Sequence, residues 1–275
     1  MKVLVYQSHI DEPDARPFRH ELAQASKSSF EQYAKKHGYD YKWDNKRWIQ
    51  PVDPAGQTRF FYSFQGLAPS GYDFVIYADS DVIAKSDAPA FPLKEGFSAV
   101  PQIEGYKTWI NSDELTDKQK VWVDEHLSAY GIKDHEYLNS GVWCADRKVK
   151  NKIWNTWRAT RNSCLKPKGR GVLLDQPVLN ACVANEKINH LGYEWNAISD
   201  MLKADSYQKA HFIHYGGLLG SIIWKTQKFL GKPDLLRERI GVLFFNHFCK
   251  DMVRYGKTSV KEALTEIINK QFNHG

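Results

Sequence analysis

Residues 73 to 78, "DFVIYA", are apolar at every position after the aspartate; "DSD" then interrupts before Val82 and Ile83 resume the run. A strand with one face in water alternates polar and apolar residues. A strand apolar on both faces needs cover on both sides, which is the situation of a central strand in a largely parallel sheet with helices on each face. The opening of the chain agrees with this. "KVLVY" (2 to 6) reads as a first buried strand, and 17 to 37 as a helix with Leu22, Ser26, Phe30 and Tyr33 along one side and Gly38 as its stop. "YDYKW" reads as a second strand, and 57 to 68 as a helix ending at Pro69. Further strands are expected near 97 to 100, near 139 to 145 and at "HFIHY", and helices near 116 to 130, 147 to 161 and 173 to 184. The expected fold is α/β, with a mostly parallel central sheet flanked by helices over residues 1 to 220. A basic helical extension follows over 221 to 275, where Ser259 and Glu262 have capping-box spacing.

The chain has 275 residues and a formal net charge of +6, distributed unevenly. Residues 147 to 170 hold nine Lys/Arg and no Asp/Glu, and residues 221 to 275 hold ten against five, so the remainder is net acidic. An acidic body with basic additions suggests an anionic partner at a defined place, while a solvated helix face is the plainer account. No apolar stretch near Lys2 resembles a signal peptide or a membrane span, and a cytoplasmic location is expected. Cys144, Cys164, Cys182 and Cys249 form no C-x-x-C pair and are read as reduced thiols.

The interruption at Asp79 falls where the strand of 73 to 78 should end. Ligands of open α/β sheets gather beyond the carboxyl ends of strands. Residues i and i+2 of an extended segment point the same way, so Asp79 and Asp81 can present two carboxylates to one side while Ser80 turns away. Such oxygen donors suit a divalent cation. The alternative is a polar turn whose aspartates bond their own backbone.

Other polar residues interrupt apolar runs in the same manner. Asn139 and Ser140 break the strand of 139 to 145, either to face the same sheet end or as a bulge beside Gly141. Asp175 and Gln176 precede an apolar helix, where Asp175 could also be a simple N-cap. His211 and His214, the latter followed by Tyr-Gly-Gly, are two late histidines near a strand end, with a core histidine as the plain account of either.

Taken in order, "YADSD", "LNSGVWCA", "LLDQPVLNA", "YEWNAI" and "HFIHYGG" resemble the motifs of GT-A-fold glycosyltransferases. The order is most similar to glycosyltransferase family 8, of the glycogenin and bacterial galactosyltransferase type. The resemblance implies a nucleotide-sugar donor such as a UDP-sugar, and Mn²⁺ or Mg²⁺ held by Asp79, Asp81 and His214. It implies retention, with Asp175 and Gln176 facing the donor sugar as the catalytic pair. Donor contacts would come from Tyr6, Ser80, Asn139, Ser140, Asn196 and Gly217. Two basic positions of the family pattern are filled here by Ser63 and Gly220; Arg59 and Lys225 are the nearest substitutes.

The acceptor is expected to be a saccharide or a polyanion. Lys150, Trp157, Arg158 and Arg161 could form a groove with stacking platforms for nucleic acid, including DNA with hydroxylated pyrimidines. Alternatively, Ile153, Trp154 and Trp157 form the buried stripe of a helix. A non-catalytic module binding sugar or nucleic acid is the remaining alternative.

Overall fold

A computed structural model of the chain describes residues 1–9, 17–46, 63–68, 70–102, 117–164, 175–198 and 209–216. The extension of 221 to 275, residues 57 to 62 of the expected second helix, and Arg59, Gly217 and Lys225 lie outside the described residues. The side chain of Arg161 does too.

The strands are β1 (Val3–Ser8), β2 (Asp40–Asp44), β3 (Phe74–Ala78), β4 (Val82–Ala84), β5 (Phe97–Pro101), β6 (Leu138–Asp146), β7 (Ile188–His190), β8 (Ala197–Ile198) and β9 (Phe212–His214). The helices are α1 (Pro17–His37), α2 (Asp117–Ala129), α3 (Arg147–Cys164) and α4 (Asp175–Val183). Six strands form one sheet in the order β2-β1-β3-β6-β5-β7. β1 is parallel to β2 and β3, β5 is parallel to β7, and β6 runs antiparallel to both of its neighbours. This is the expected mostly parallel sheet with helices against it. Among the described residues no helix is long and apolar enough to cross a membrane.

The apolar composition of β3 follows from cover on both faces. Val75 and Tyr77 share one core with Leu4, Tyr6 and Trp143, beneath Val123 and Leu127 of α2, Val149, Ile153, Trp154 and Trp157 of α3, and Val178 and Leu179 of α4. Ile76 and Ala78 join Val3, Val5, Val142 and Cys144 on the other face, beneath Phe30, Tyr33 and Ala34 of α1. Each large apolar side chain buried this way contributes about 1.5–3 kcal/mol. Cys144 and Cys182 are free thiols buried in these cores, as expected of them.

Helix α1 carries its expected stripe, since Leu22, Ser26, Phe30 and Tyr33 are all buried. It stops at Gly38, whose φ of 68° is left-handed backbone that costs glycine little. The Tyr39 N–H then returns to the Ala34 carbonyl at 2.9 Å. The expected helix of 57 to 68 is described only at 63 to 68, where 63 to 67 form a 3-10 turn.

A second sheet, order β4-β9-β8, was not anticipated apart from β9. β4 pairs antiparallel with β9, so Val82 lies opposite His214. β8 pairs parallel with β9, placing Ile198 beside His214. This small sheet brings the late histidine to the residues that follow β3.

Candidate active site

The reversed direction of β6 builds the site. β3 ends at Ala78, opposite Val142, and the Asp79 N–H donates to the Gly141 carbonyl at 2.8 Å. Asn139 and Ser140, at the start of β6, therefore stand just past the carboxyl end of β3. Helix α4 is tied to the same edge through Asn180, whose side-chain amide accepts from the Leu138 N–H and donates to the Leu138 carbonyl, both at 2.8 Å. That pair places Asp175 and Gln176, on the first turn of α4, beside Ser140.

The turn after β3 is fixed from behind. Gln7 Nε2 donates to the Asp79 carbonyl at 3.2 Å and to Ser26 Oγ at 2.8 Å. Ser26 Oγ in turn donates to the Val82 carbonyl. Neither Gln7 nor Ser26 was expected to serve the site. The signal was present, because Gln7 directly follows the apolar run of β1 and Ser26 falls on the expected buried stripe of α1, and a fully buried polar side chain must find partners.

Asp79, Asp81 and His214 each offer one ligand atom, all within 4.8 Å of one another. His214 Nε2 lies 3.3 Å from Asp81 Oδ1 and 4.0 Å from Asp79 Oδ2. Both carboxylates are about one-third exposed, at 30% and 33%, so an ion or ligand could reach them. His211 is placed elsewhere, with its ring 4.7 Å from that of Trp195. Ser80 Oγ lies 3.1 Å from His9 Nδ1.

The electrostatics favour a cation at this point. Burial withdraws water from the Asp79 carboxyl, and the neighbouring charges of Asp81 and Asp175 raise its pKa further, well above the usual carboxylate range. Tyr77 donates to Asp79 Oδ1 at 2.6 Å. The Asp175 carboxyl is pushed up to about 7, chiefly by burial and also by Asp81. Its own and the Gln176 backbone N–H, with the Ser140 hydroxyl, work in the opposite direction. Asp175 thus sits at a helix N-terminus in the manner of a cap, and it also faces the carboxylate cluster. Crowded like charges of this kind are relieved by protons or by a divalent ion, and two carboxylates with one imidazole form a fitting donor set for Mn²⁺ or Mg²⁺.

Gln176 is held against β6. Its Oε1 accepts the Ser140 N–H at 3.1 Å and the Ser140 hydroxyl at 3.3 Å. Asn196 is fully buried and donates to Asn139 Oδ1 at 2.6 Å. Tyr6, expected at the donor, instead lies in the core, with its ring 6.2 Å from that of Tyr77 and its hydroxyl 3.2 Å from Asp44.

Two expected acceptor contacts are corrected. Trp157 is 3% exposed and stacks on Phe64 with ring planes 1° apart, so it is a core residue with no face left for a base. Lys150 is fully buried, with its ammonium on Ser70 Oγ at 2.8 Å. Ser70 precedes β3, and one strand length of roughly 16 Å, at about 3.3 Å per residue, separates the start of β3 from Asp79. Other charges of α3 also have partners: Arg147 pairs with Asp73 at 2.7 Å, Lys152 pairs with Glu186, and Arg158 lies over the Trp154 ring.

No protein-family model matches the sequence. No curated protein matches it. Among solved structures, the chain is similar to a glycosyltransferase involved in glycosylation of the major capsid of PBCV-1, at 13% identity and a TM-score of 0.49, covering 80% of this chain and 96% of that one. It is similar to the galactosyltransferase LgtC, solved with donor and acceptor sugar analogs, at 13% identity and a TM-score of 0.45, covering 78% and 87%. It is also similar to the apo form of the glycosyltransferase GlyE of Streptococcus pneumoniae TIGR4, at 14% identity and a TM-score of 0.45, covering 98% of this chain and 63% of that one.

Proposed function

We propose that the chain is a metal-dependent glycosyltransferase that moves a hexose or pentose from a nucleotide-sugar donor, a UDP-sugar in the family its motifs resemble, to a hydroxyl acceptor. The observation that carries this reading is the convergence of Asp79, Asp81 and His214 at the carboxyl end of β3, with Asp175 and Gln176 beside them. Five motifs scattered over 140 residues of sequence supply the residues that meet there.

Asp79, Asp81 and His214 would hold Mn²⁺ or Mg²⁺. Such an ion supplies positive charge to a departing diphosphate. Asp175 suits sugar hydroxyls, which its carboxyl can accept from or donate to near neutrality. Gln176, with its oxygen taken by Ser140 and its amide nitrogen bonded to the Tyr137 hydroxyl, has a second amide N–H to orient the donor. Double displacement requires a carboxylate nucleophile beneath the anomeric carbon, and the amide of Gln176 is a poor one. Front-face attack suits this residue set: the acceptor oxygen bonds the anomeric carbon as the bond to phosphate breaks, and the hydroxyl proton passes to the departing phosphate oxygen. The product then keeps the donor's anomeric configuration.

A neutral saccharide is the favoured acceptor, because among the described residues of α3 Arg147 and Lys152 pair with carboxylates and the Lys150 ammonium is on Ser70. The test is nucleotide release in Mn²⁺ from a panel of nucleotide sugars, with saccharides and with duplex DNA carrying 5-hydroxymethyl pyrimidines as acceptors. Release from one donor, increased by a saccharide and lost in Asp81→Asn, is expected. Transfer to the DNA alone would move the acceptor to nucleic acid, and full activity of Asp81→Asn in chelator would overturn the metal assignment.

A further inference from the structure

His214 is the end of a chain of side-chain amides that begins at a backbone group. The Gly141 N–H can only donate, and it donates to Asn139 Oδ1 at 2.8 Å. That contact orients the Asn139 amide, whose Nδ2 donates to Gln102 Oε1 at 2.8 Å on the other side. Asn139 Oδ1 is therefore an acceptor, and the Asn196 atom 2.6 Å from it must be the amide nitrogen. Asn196 Oδ1 is left facing His214 Nδ1 at 3.0 Å. Two acceptors cannot bond each other, so the proton is on Nδ1.

We infer that Asn139 and Asn196 are positioning residues, a relay that holds His214 as its Nδ1–H tautomer and turns the Nε2 lone pair toward Asp79 and Asp81. This rests on the metal site proposed above and replaces the expectation that the two asparagines touch the donor. The relay is buried: Asn196 is 0% and Asn139 8% exposed, so water does not compete for these bonds. It is also closely packed. A Cβ on Gly141 would stand 2.4 Å from His214 Cε1 and 3.0 Å from Asn139 Oδ1, so glycine is what allows the relay to pass beneath the ring. An imidazole free to exchange tautomers would present its N–H to a cation half of the time or more. A partner on the second nitrogen removes that loss, and such outer partners are commonly worth about 10- to 100-fold in metal affinity.

The test reads the tautomer directly in the metal-free protein, by two-bond ¹H–¹⁵N correlation spectra of the histidine rings at a pH where His214 is neutral. His214 is expected to show a protonated Nδ1 and an unprotonated Nε2. Asn196→Ala is expected to give mixed tautomers and a Mn²⁺ dissociation constant raised about 10- to 100-fold. Asn139→Asp keeps an acceptor for Gly141 and Asn196 and is expected to keep the Nδ1–H tautomer, which guards against a variant that fails only by unfolding. A protonated Nε2 in the neutral wild-type ring overturns the relay, as does Asn196→Ala with an unchanged tautomer and unchanged Mn²⁺ affinity. The expected tautomer, without broadening of His214 by Mn²⁺, supports the relay and removes the metal reading.

Discussion

Gln176 Oε1 accepts both the backbone N–H of Ser140, at 3.1 Å, and its hydroxyl, at 3.3 Å, joining the first turn of α4 to the start of β6. Ser140 is 6% exposed, so its N–H has little access to water if that bond is lost. Gln176→Ala is therefore expected to reduce turnover and also to destabilise the fold by about 1–3 kcal/mol, the cost of an unpaired buried donor. Gln176→Glu retains the acceptor oxygen and removes the amide donors. It should cost less stability than Gln176→Ala at acid pH, where the added carboxyl beside Asp175 is protonated, while turnover falls; thermal denaturation beside nucleotide-release assays separates the two effects.

Gly141→Ala tests the closeness of β6 to His214. The added methyl would lie 2.4 Å from His214 Cε1, within a close-packed interior. Overpacking should cost about 1–3 kcal/mol and move the imidazole away from the two carboxylates. Calorimetric titration with Mn²⁺ should show binding weakened at least about tenfold, in proportion to the loss of a ligand's orientation. Unchanged affinity would mean that His214 does not contribute to binding.

The stability of the metal-free protein should fall as pH rises through the acid range. Burial and neighbouring carboxylates raise Asp79 well above its ordinary value and Asp175 to about 7. Between the ordinary carboxylate value and about 7, the folded chain holds protons that the unfolded chain has released, so each rise in pH favours unfolding. Urea unfolding in chelator across this window should show that slope, and Asp79→Asn should reduce it. Stabilisation by Mn²⁺ should grow over the same window, because the ion takes the place of those protons. A flat profile would contradict the crowding of charges at this site.

Trp157→Ala should behave as a core deletion. Its indole stacks on Phe64 and touches the cluster formed by α3 and the sheet, so removal should cost about 3–5 kcal/mol. An acceptor contact would instead raise the acceptor Michaelis constant and leave the melting temperature unchanged. Chemical denaturation of the variant, with steady-state kinetics on whatever remains folded, distinguishes these outcomes.

The sequence alone determined the parts of this protein that depend on local periodicity. The two-faced apolar run of β3 required cover on both sides, and Val75 with Tyr77 and Ile76 with Ala78 do enter separate cores. The polar break at Asp79 marked the end of that strand, and the stripe and glycine stop of α1 marked that helix, because each is a property of neighbouring residues. Chemistry-bearing residue types could also be picked out where they interrupt apolar runs, as at Asn139, Ser140 and His214. Their partners could not. The bond of Asn196 to Asn139 spans 57 residues, and the contact of Gln7 with the Asp79 carbonyl spans 72. The second sheet was hidden because β4 has three residues and β8 two, too few for a period to show. The partners of the basic residues of α3 were equally out of sight. Its lack of acidic residues at helical spacing suggested unpaired charge, whereas Asp73, Glu186 and Ser70 reach it from other parts of the chain. Pattern fixes which face of an element is apolar; only the packing of distant segments decides which polar group each buried polar group meets, since hydrogen bonds and ion pairs depend on distances that sequence separation does not encode.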